Sequence, residues 1–326
     1  MPVKPLLHTV LVALALGLDE GAAFAAGVEP AGRRALRIHD PSTIVAADGA
    51  YWIFGTGKRV LAAKSPDLLA WTRLDPALSV APGWAREVAP GNDRDHYWAP
   101  DVIRVGDLYH LYYSVSEFGK NTSAIALATS PSLDPSAPDH RWEDRGIVLR
   151  SGGDDDFNAI DPSVLQAADG RLWMAFGSFW GGLFLVELDP ATGLRASPAS
   201  PPLRLADADE IEAPTLHHRQ GFYYLFFNVG LCCRGKASTY RVLVGRSRDV
   251  TGPYLDDEGR DLRAGGGREF LGGAGDFIGP GHATVLEENG REWAVVHFYD
   301  GSREGQPGLA LRRLGWTDDG WPRVID

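Results

Sequence analysis

Cysteine is nearly missing from this chain. Its 326 residues include two, Cys232 and Cys233, and they are neighbours. Adjacent cysteines cannot tie distant segments together, so no disulfide framework supports the fold. They also lack the ligand count and spacing of a structural zinc site. Bonded to each other they form a redox-sensitive vicinal disulfide; unbonded they are two partly buried thiols. The sequence leaves both open. A basic face is lacking too. Lys and Arg number 32 against 43 Asp and Glu, a formal charge of −11 with pI near 5.3, which argues against a nucleic-acid partner. Sustained amphipathic helical patterns are absent, as is any nucleotide-binding glycine loop that opens a helix. Beyond the N-terminus no apolar run approaches the roughly 20 residues of a membrane span.

The N-terminus itself reads as a secretory signal. Lys4 supplies the positive start, Leu6 to Leu18 the apolar run, and Ala23-Phe24-Ala25 the small-residue cleavage pattern. Asp19 and Glu20 between run and site are unusual for such a segment. The expectation is a signal peptide over residues 1–26, then one domain over 27–326, exported, soluble and monomeric. At 44% hydrophobic content, that length can bury one sizeable core.

What the chain has in abundance is a repeat. Asn158-Ala159-Ile160-Asp161-Pro162-Ser163 precedes an apolar strand, an Asp169-Gly170 turn and a second strand, Leu172 to Phe176. Asp-Gly between apolar runs signals a hairpin. The same unit follows His39-Asp40-Pro41-Ser42, Trp98-Ala99-Pro100-Asp101, Ile211-Glu212-Ala213-Pro214 and Gly279-Pro280-Gly281-His282. The marker prolines stand at 41, 100, 162, 214 and 280, steps of 59, 62, 52 and 66 residues. Five all-β units, each long enough for four strands, predict a five-bladed β-propeller. The first strand of each blade lines the channel, so Asp40, Asp101, Asp161, Glu212 and His282 should gather at one mouth.

Three proline- or glycine-rich stretches, Ser130 to His140, Pro190 to Pro202 and Asp256 to Gly275, read as loops between the units. Gly181-Gly182 marks a bend or a close backbone approach to a ligand. Ten Trp, ten Tyr and thirteen Phe suit sugar stacking, although hairpin-rich folds place most aromatics in the core.

Taken together, these motifs with Ser178-Phe179-Trp180-Gly181-Gly182 and Cys232-Cys233-Arg234-Gly235 resemble the arabinanases of glycoside hydrolase family 43, from about residue 36 to the C-terminus. The resemblance implies a five-bladed propeller and secreted, inverting, endo-acting cleavage of α-1,5-linked arabinan. It implies Asp40 as general base, Glu212 as general acid and Asp161 as the group that tunes and orients Glu212. Phe118, Gly119, Asn158, Ser178 and Trp180 match the sugar-contacting set. His282 matches a channel histidine beside a metal ion, usually calcium. Ala283 departs from the Asn that follows this histidine in many members, which weakens the metal expectation, and calcium itself prefers oxygen donors. Asp101 matches a motif without assigned chemistry, so a structural hydrogen-bonding role leads.

The chemistry is consistent with these roles. Glycoside hydrolysis needs one protonated carboxyl for the leaving oxygen and one carboxylate to activate water. Charged Asp161 beside Glu212 would hold the latter protonated. The alternatives are an exo-acting arabinofuranosidase or β-xylosidase of the same family, and a non-catalytic propeller that binds polysaccharide. A fructan hydrolase is set aside because its Asn-Asp-Pro-Asn and Arg-Asp-Pro signatures are missing.

Overall fold

Tight turns set the strand register. In a computed structural model that describes residues 36–325, Asp48 and Gly49 both adopt positive φ, 53° and 72°. This is the geometry of a type I′ turn, and it pairs Val45–Ala47 (β1) with Ala50–Gly55 (β2), Ala47 facing Ala50. Leu61–Ser65 (β4) and Thr72–Arg73 (β5) complete the first blade, while the two-residue strand Gly57–Lys58 (β3) crosses to pair with the next.

The remaining blades repeat the plan. The second runs His96–Val105 (β6), Leu108–Val115 (β7), Ser123–Ser130 (β8) and Glu143–Ser151 (β9). The third is Ser163–Gln166 (β10), Leu172–Phe176 (β11), Leu183–Leu188 (β12) and Leu203–Ala206 (β13). The fourth is Glu212–Arg219 (β14), Phe222–Val229 (β15), Arg241–Ser247 (β16) and Arg268–Leu271 (β17). Phe277–Glu288 (β18), Arg291–Asp300 (β19), Gln306–Trp316 (β20) and Pro322–Val324 (β21) form the fifth. The five-bladed propeller is therefore present as the repeat predicts.

Apolar cores lie between blades. Trp52, Phe54, Tyr97 and Leu111 join the first to the second; Leu127, Phe157 and Met174 the second to the third. Trp173, Leu185, Leu216 and Phe227 continue the ring, followed by Phe226, Val244 and Val296. Ile44 and Ile53 against Trp293 and Val295 close it, helped by the Leu309 N–H that donates to the Leu36 carbonyl at 3.0 Å. A sheet face buried on both sides explains why second and third strands such as Ser123–Ser130 are buried throughout.

Polar groups pin the inner strands to one another. Buried Asp101 accepts from the N–H of Thr43 (3.1 Å) in the first blade and of Val164 (2.8 Å) in the third. Ser163 accepts from the Leu216 N–H at 3.1 Å, and Thr284 donates to the Ser42 carbonyl at 3.3 Å. Asp101 thus has the structural role its motif suggests.

Two expectations need correction. The stretches 130–140 and 190–202 fall inside blades, between third and fourth strands; 256–275 begins there too, takes in β17, and only its end after Leu271 lies between repeat units. Their composition misleads because the outermost strand is short and reached by a long excursion. Gly181 and Gly182 do mark a bend, closed by the Gly182 N–H donating to the Phe179 carbonyl at 2.8 Å, but the backbone they approach is the protein's own: a Cβ there would meet the Asp156 and Ala206 carbonyl oxygens, each at 2.2 Å. The signal peptide lies outside the described residues. No helix among those described is long and apolar enough to cross a membrane.

Candidate active site

The site begins with a backbone irregularity that recurs in every blade. Asp40, Ala99, Asp161, Ala213 and His282 have φ between 43° and 58°. Four of them precede proline, where a non-extended backbone is disfavoured, and left-handed φ is uncommon outside glycine. The β-ladder slips at the same places, between Trp98 and Asp101, Glu212 and Thr215, and Gly281 and Thr284. Such bulges re-aim side chains. The repeat thereby turns Asp40, Asp161 and His282 from equivalent positions, whereas the fourth blade contributes the residue one earlier, Glu212.

Asp40 sits among donors. Thr56 Oγ1 donates to its Oδ2 at 2.5 Å. His39 Nδ1 lies 2.8 Å from Oδ1 and His282 Nδ1 3.6 Å, while His297 Nδ1, 3.7 Å from Oδ1, accepts the Asp40 backbone N–H. Burial opposes ionisation of Asp40, but the charge and hydrogen bond of His39, with His282 and His297, outweigh it and hold its pKa well below the usual carboxylate range. Asp40 is therefore a carboxylate at any ordinary pH.

Asp161 and Glu212 behave oppositely. Burial raises the pKa of Asp161 strongly, and the charges of Glu212 and Asp40 add to this; the Ala213 N–H, donating to Oδ2 at 3.2 Å, counters weakly. Burial also raises Glu212. Tyr240, donating to Oε1, and Ser178, donating to Oε2 at 2.7 Å, pull it partly back. Gly281 makes room for this tyrosine, since a Cβ there would lie 2.3 Å from the Tyr240 ring. The expectation had Asp161 as the charged partner. In the free site the two hydroxyls favour charge on Glu212 instead, and the pair holds a proton between them.

A cavity of about 1290 Å³ opens over these carboxylates, lined by residues from all five blades. Asp40, Asp161 and Glu212 are in its wall, as are Phe118, Gly119, Asn158, Ser178 and Trp180. Phe118 (85% exposed) and Trp180 (46%) stand free enough to meet a ligand. Asn158 is buried and takes a hydrogen bond from Ser123 at 2.7 Å. Ser178 is engaged with Glu212. Thr56, Tyr240 and Ser114, whose hydroxyl accepts from the Asp161 N–H at 3.0 Å, escape a reading of the sequence because a lone hydroxyl on a second strand or loop carries no local signature. His297 and Tyr299 are legible in principle, being two apart on β19 and so sharing a face.

His282 is buried behind Asp40, and its N–H donates to Asn228 Oδ1 at 2.9 Å. Calcium takes six to eight oxygens, while the neighbourhood of His282 supplies imidazoles and the Asp40 carboxylate. Protein atoms alone do not complete such a shell, so a cation at His282 would draw most of its oxygens from water. Among the described residues, the groupings compact enough to hold a metal are His39, Asp40 and His297, and His39, Cys232 and Cys233; His282 is in neither. Cys232 and Cys233 are bonded to each other, which settles the question left open by sequence.

A channel mouth that keeps one carboxylate ionised beside a carboxyl pair sharing a proton has the acid and base that glycoside hydrolysis needs. The chain matches the glycosyl hydrolases family 43 over residues 34–322 and belongs to that family. It is similar to an extracellular exo-α-(1→5)-L-arabinofuranosidase of Cellvibrio japonicus (strain Ueda107), 40% identical over 90% of this chain and 88% of that one. An extracellular endo-α-(1→5)-L-arabinanase of Bacillus subtilis (strain 168) is 38% identical over 98% of this chain and 97% of its own. Among solved structures, the Cellvibrio cellulosa α-L-arabinanase complexed with arabinohexaose superposes with a TM-score of 0.86 at 38% identity, covering 90% of this chain and 96% of that one.

Proposed function

We propose that this protein is a secreted, endo-acting arabinanase that hydrolyses α-1,5-L-arabinofuranosidic bonds with inversion. The observation that carries the proposal is the placement of Asp40, held by His39 and Thr56, in one cleft wall with the buried Asp161 and Glu212 carboxyls. Asp40, ionised and fixed by His39 and Thr56, is the general base that draws a proton from water. Glu212 is the general acid that protonates the leaving oxygen. Asp161 keeps a proton in the pair through like-charge repulsion; a glycosidic oxygen docked against Glu212 is an acceptor and draws that proton onto it. Acid–base assistance of this kind contributes about 10²–10⁴-fold per group.

The cleft supports a polymeric substrate. At about 1290 Å³ it exceeds the roughly 300–1,000 Å³ usual for a small-molecule pocket, and a structural relative takes arabinohexaose. Phe118 and Trp180 on the rim offer apolar faces to sugar rings. The extracellular names of the relatives support export. No step of this mechanism passes through a metal ion.

The 40% identity to a protein named as an exo-acting arabinofuranosidase favours exo action as the second reading. A product time course on linear arabinan separates the two. An early ladder of oligosaccharides supports endo cleavage; one short product from the first time point establishes exo action.

A further inference from the structure

The loop between β15 and β16 reaches the proposed base through a chain of hydrogen bonds. The Cys233 N–H donates to the Tyr299 hydroxyl at 2.7 Å. The same hydroxyl is hydrogen-bonded to His39 Nε2, 2.6 Å away. On its other side the His39 ring presents Nδ1 to Asp40 Oδ1 at 2.8 Å, the contact through which it holds that carboxylate. The His39 ring is braced by stacking on His297 at 4.0 Å, and His297 Nδ1 accepts the Asp40 N–H at 3.1 Å. The N–H that starts the chain belongs to the peptide linking the two cysteines. Their disulfide closes a small ring through that peptide and so fixes where the N–H points.

We propose that the Cys232–Cys233 disulfide ring, Tyr299 and His39 form a positioning relay that holds Asp40 at the angle needed to activate water. Tyr299 and His39 are positioning residues, and the relay is sensitive to reduction. A dithiol such as dithiothreitol supplies two electrons and two protons, converts the ring to two thiols and is itself oxidised to a cyclic disulfide. The freed peptide then turns, and Tyr299 loses its donor. The proposal rests on the reading of Asp40 as the base.

The test compares kcat and KM on arabino-oligosaccharides for the full chain and for Tyr299→Phe, each before and after dithiothreitol. Reduction should lower wild-type kcat by about tenfold, the order of one lost hydrogen bond, with KM unchanged and activity restored on reoxidation. Tyr299→Phe should lower kcat comparably and then resist further loss, because links in one chain are not additive. Cys232→Ser with Cys233→Ser should match the reduced wild type. A reduction effect of equal size in wild type and Tyr299→Phe overturns the relay, as does an unchanged wild-type kcat or a change confined to KM. Asp40→Asn marks which idea has failed. If that variant keeps wild-type kcat, the base assignment is wrong; if it is inactive while the cycle is additive, only the relay is.

Discussion

The Ser178 hydroxyl donates to Oε2 of Glu212 across 2.7 Å, and the backbones of the two residues form a β-bridge between the third and fourth blades. A serine expected to touch sugar is thus in contact with the proposed acid. Its hydrogen bond favours the ionised form and lowers the Glu212 pKa. Ser178→Ala should therefore raise that pKa and move the alkaline limb of the kcat profile, which reports the acid, to higher pH. The displacement should reach at most about one pH unit, the scale of one hydrogen bond. A raised KM with the limb unmoved would return Ser178 to a purely sugar-binding role.

Asp161→Asn should act on activity and stability in opposite senses. Losing the like charge lowers the Glu212 pKa, so the alkaline limb should move to lower pH, with kcat reduced by about 10²-fold or more. Folding raises the pKa of Asp161. A carboxyl of that kind contributes stability below its unfolded pKa and loses it as pH rises towards its folded value. At neutral pH it is a cost, about 1.4 kcal/mol for each tenfold by which the folded site disfavours the ionised carboxylate. Thermal unfolding at pH 7 should therefore show Asp161→Asn more stable than wild type, with the advantage vanishing near pH 3. An equal or lower melting temperature at pH 7 contradicts the raised Asp161 pKa that burial, with the neighbouring charges, imposes.

Asp101 should behave as structure alone. Asp101→Ala leaves the N–H groups of Thr43 and Val164 buried without an acceptor, a loss of roughly 2–6 kcal/mol. Chemical denaturation should register that loss, while the folded variant retains wild-type kcat. A drop in kcat with stability intact would place Asp101 in the chemistry.

Much of the fold is legible in the sequence because turns repeat. Asp48-Gly49 and Asn289-Gly290 each adopt positive φ at both positions, and such pairs between apolar runs mark a hairpin wherever they occur. The carboxylates Asp40, Asp161 and Glu212 are visible through the prolines beside them. What stays hidden is their phase, since the left-handed position that aims Asp161 is taken in the fourth blade by Ala213, which leaves Glu212 one residue earlier. Tyr240 and Thr56 are hidden for another reason. Each meets its carboxylate across a long sequence separation, 28 and 16 residues, with no periodicity to announce it. The direction of the Asp161–Glu212 imbalance is equally out of reach, because it depends on which carboxyl receives the hydroxyls.

The measurement that tests the central claim most directly is the anomeric configuration of the first product. If Asp40 activates water while Glu212 protonates the leaving oxygen, hydrolysis is a single displacement, and the two carboxyls stand roughly 6.5–9.5 Å apart to admit the water. Proton NMR of an α-1,5-linked arabino-oligosaccharide digest, recorded within the first minutes, reads the new reducing end before mutarotation. The account predicts β-configured product first, and negligible transfer to added alcohols. Product of α configuration at the earliest time point would contradict it and make Asp40 a nucleophile.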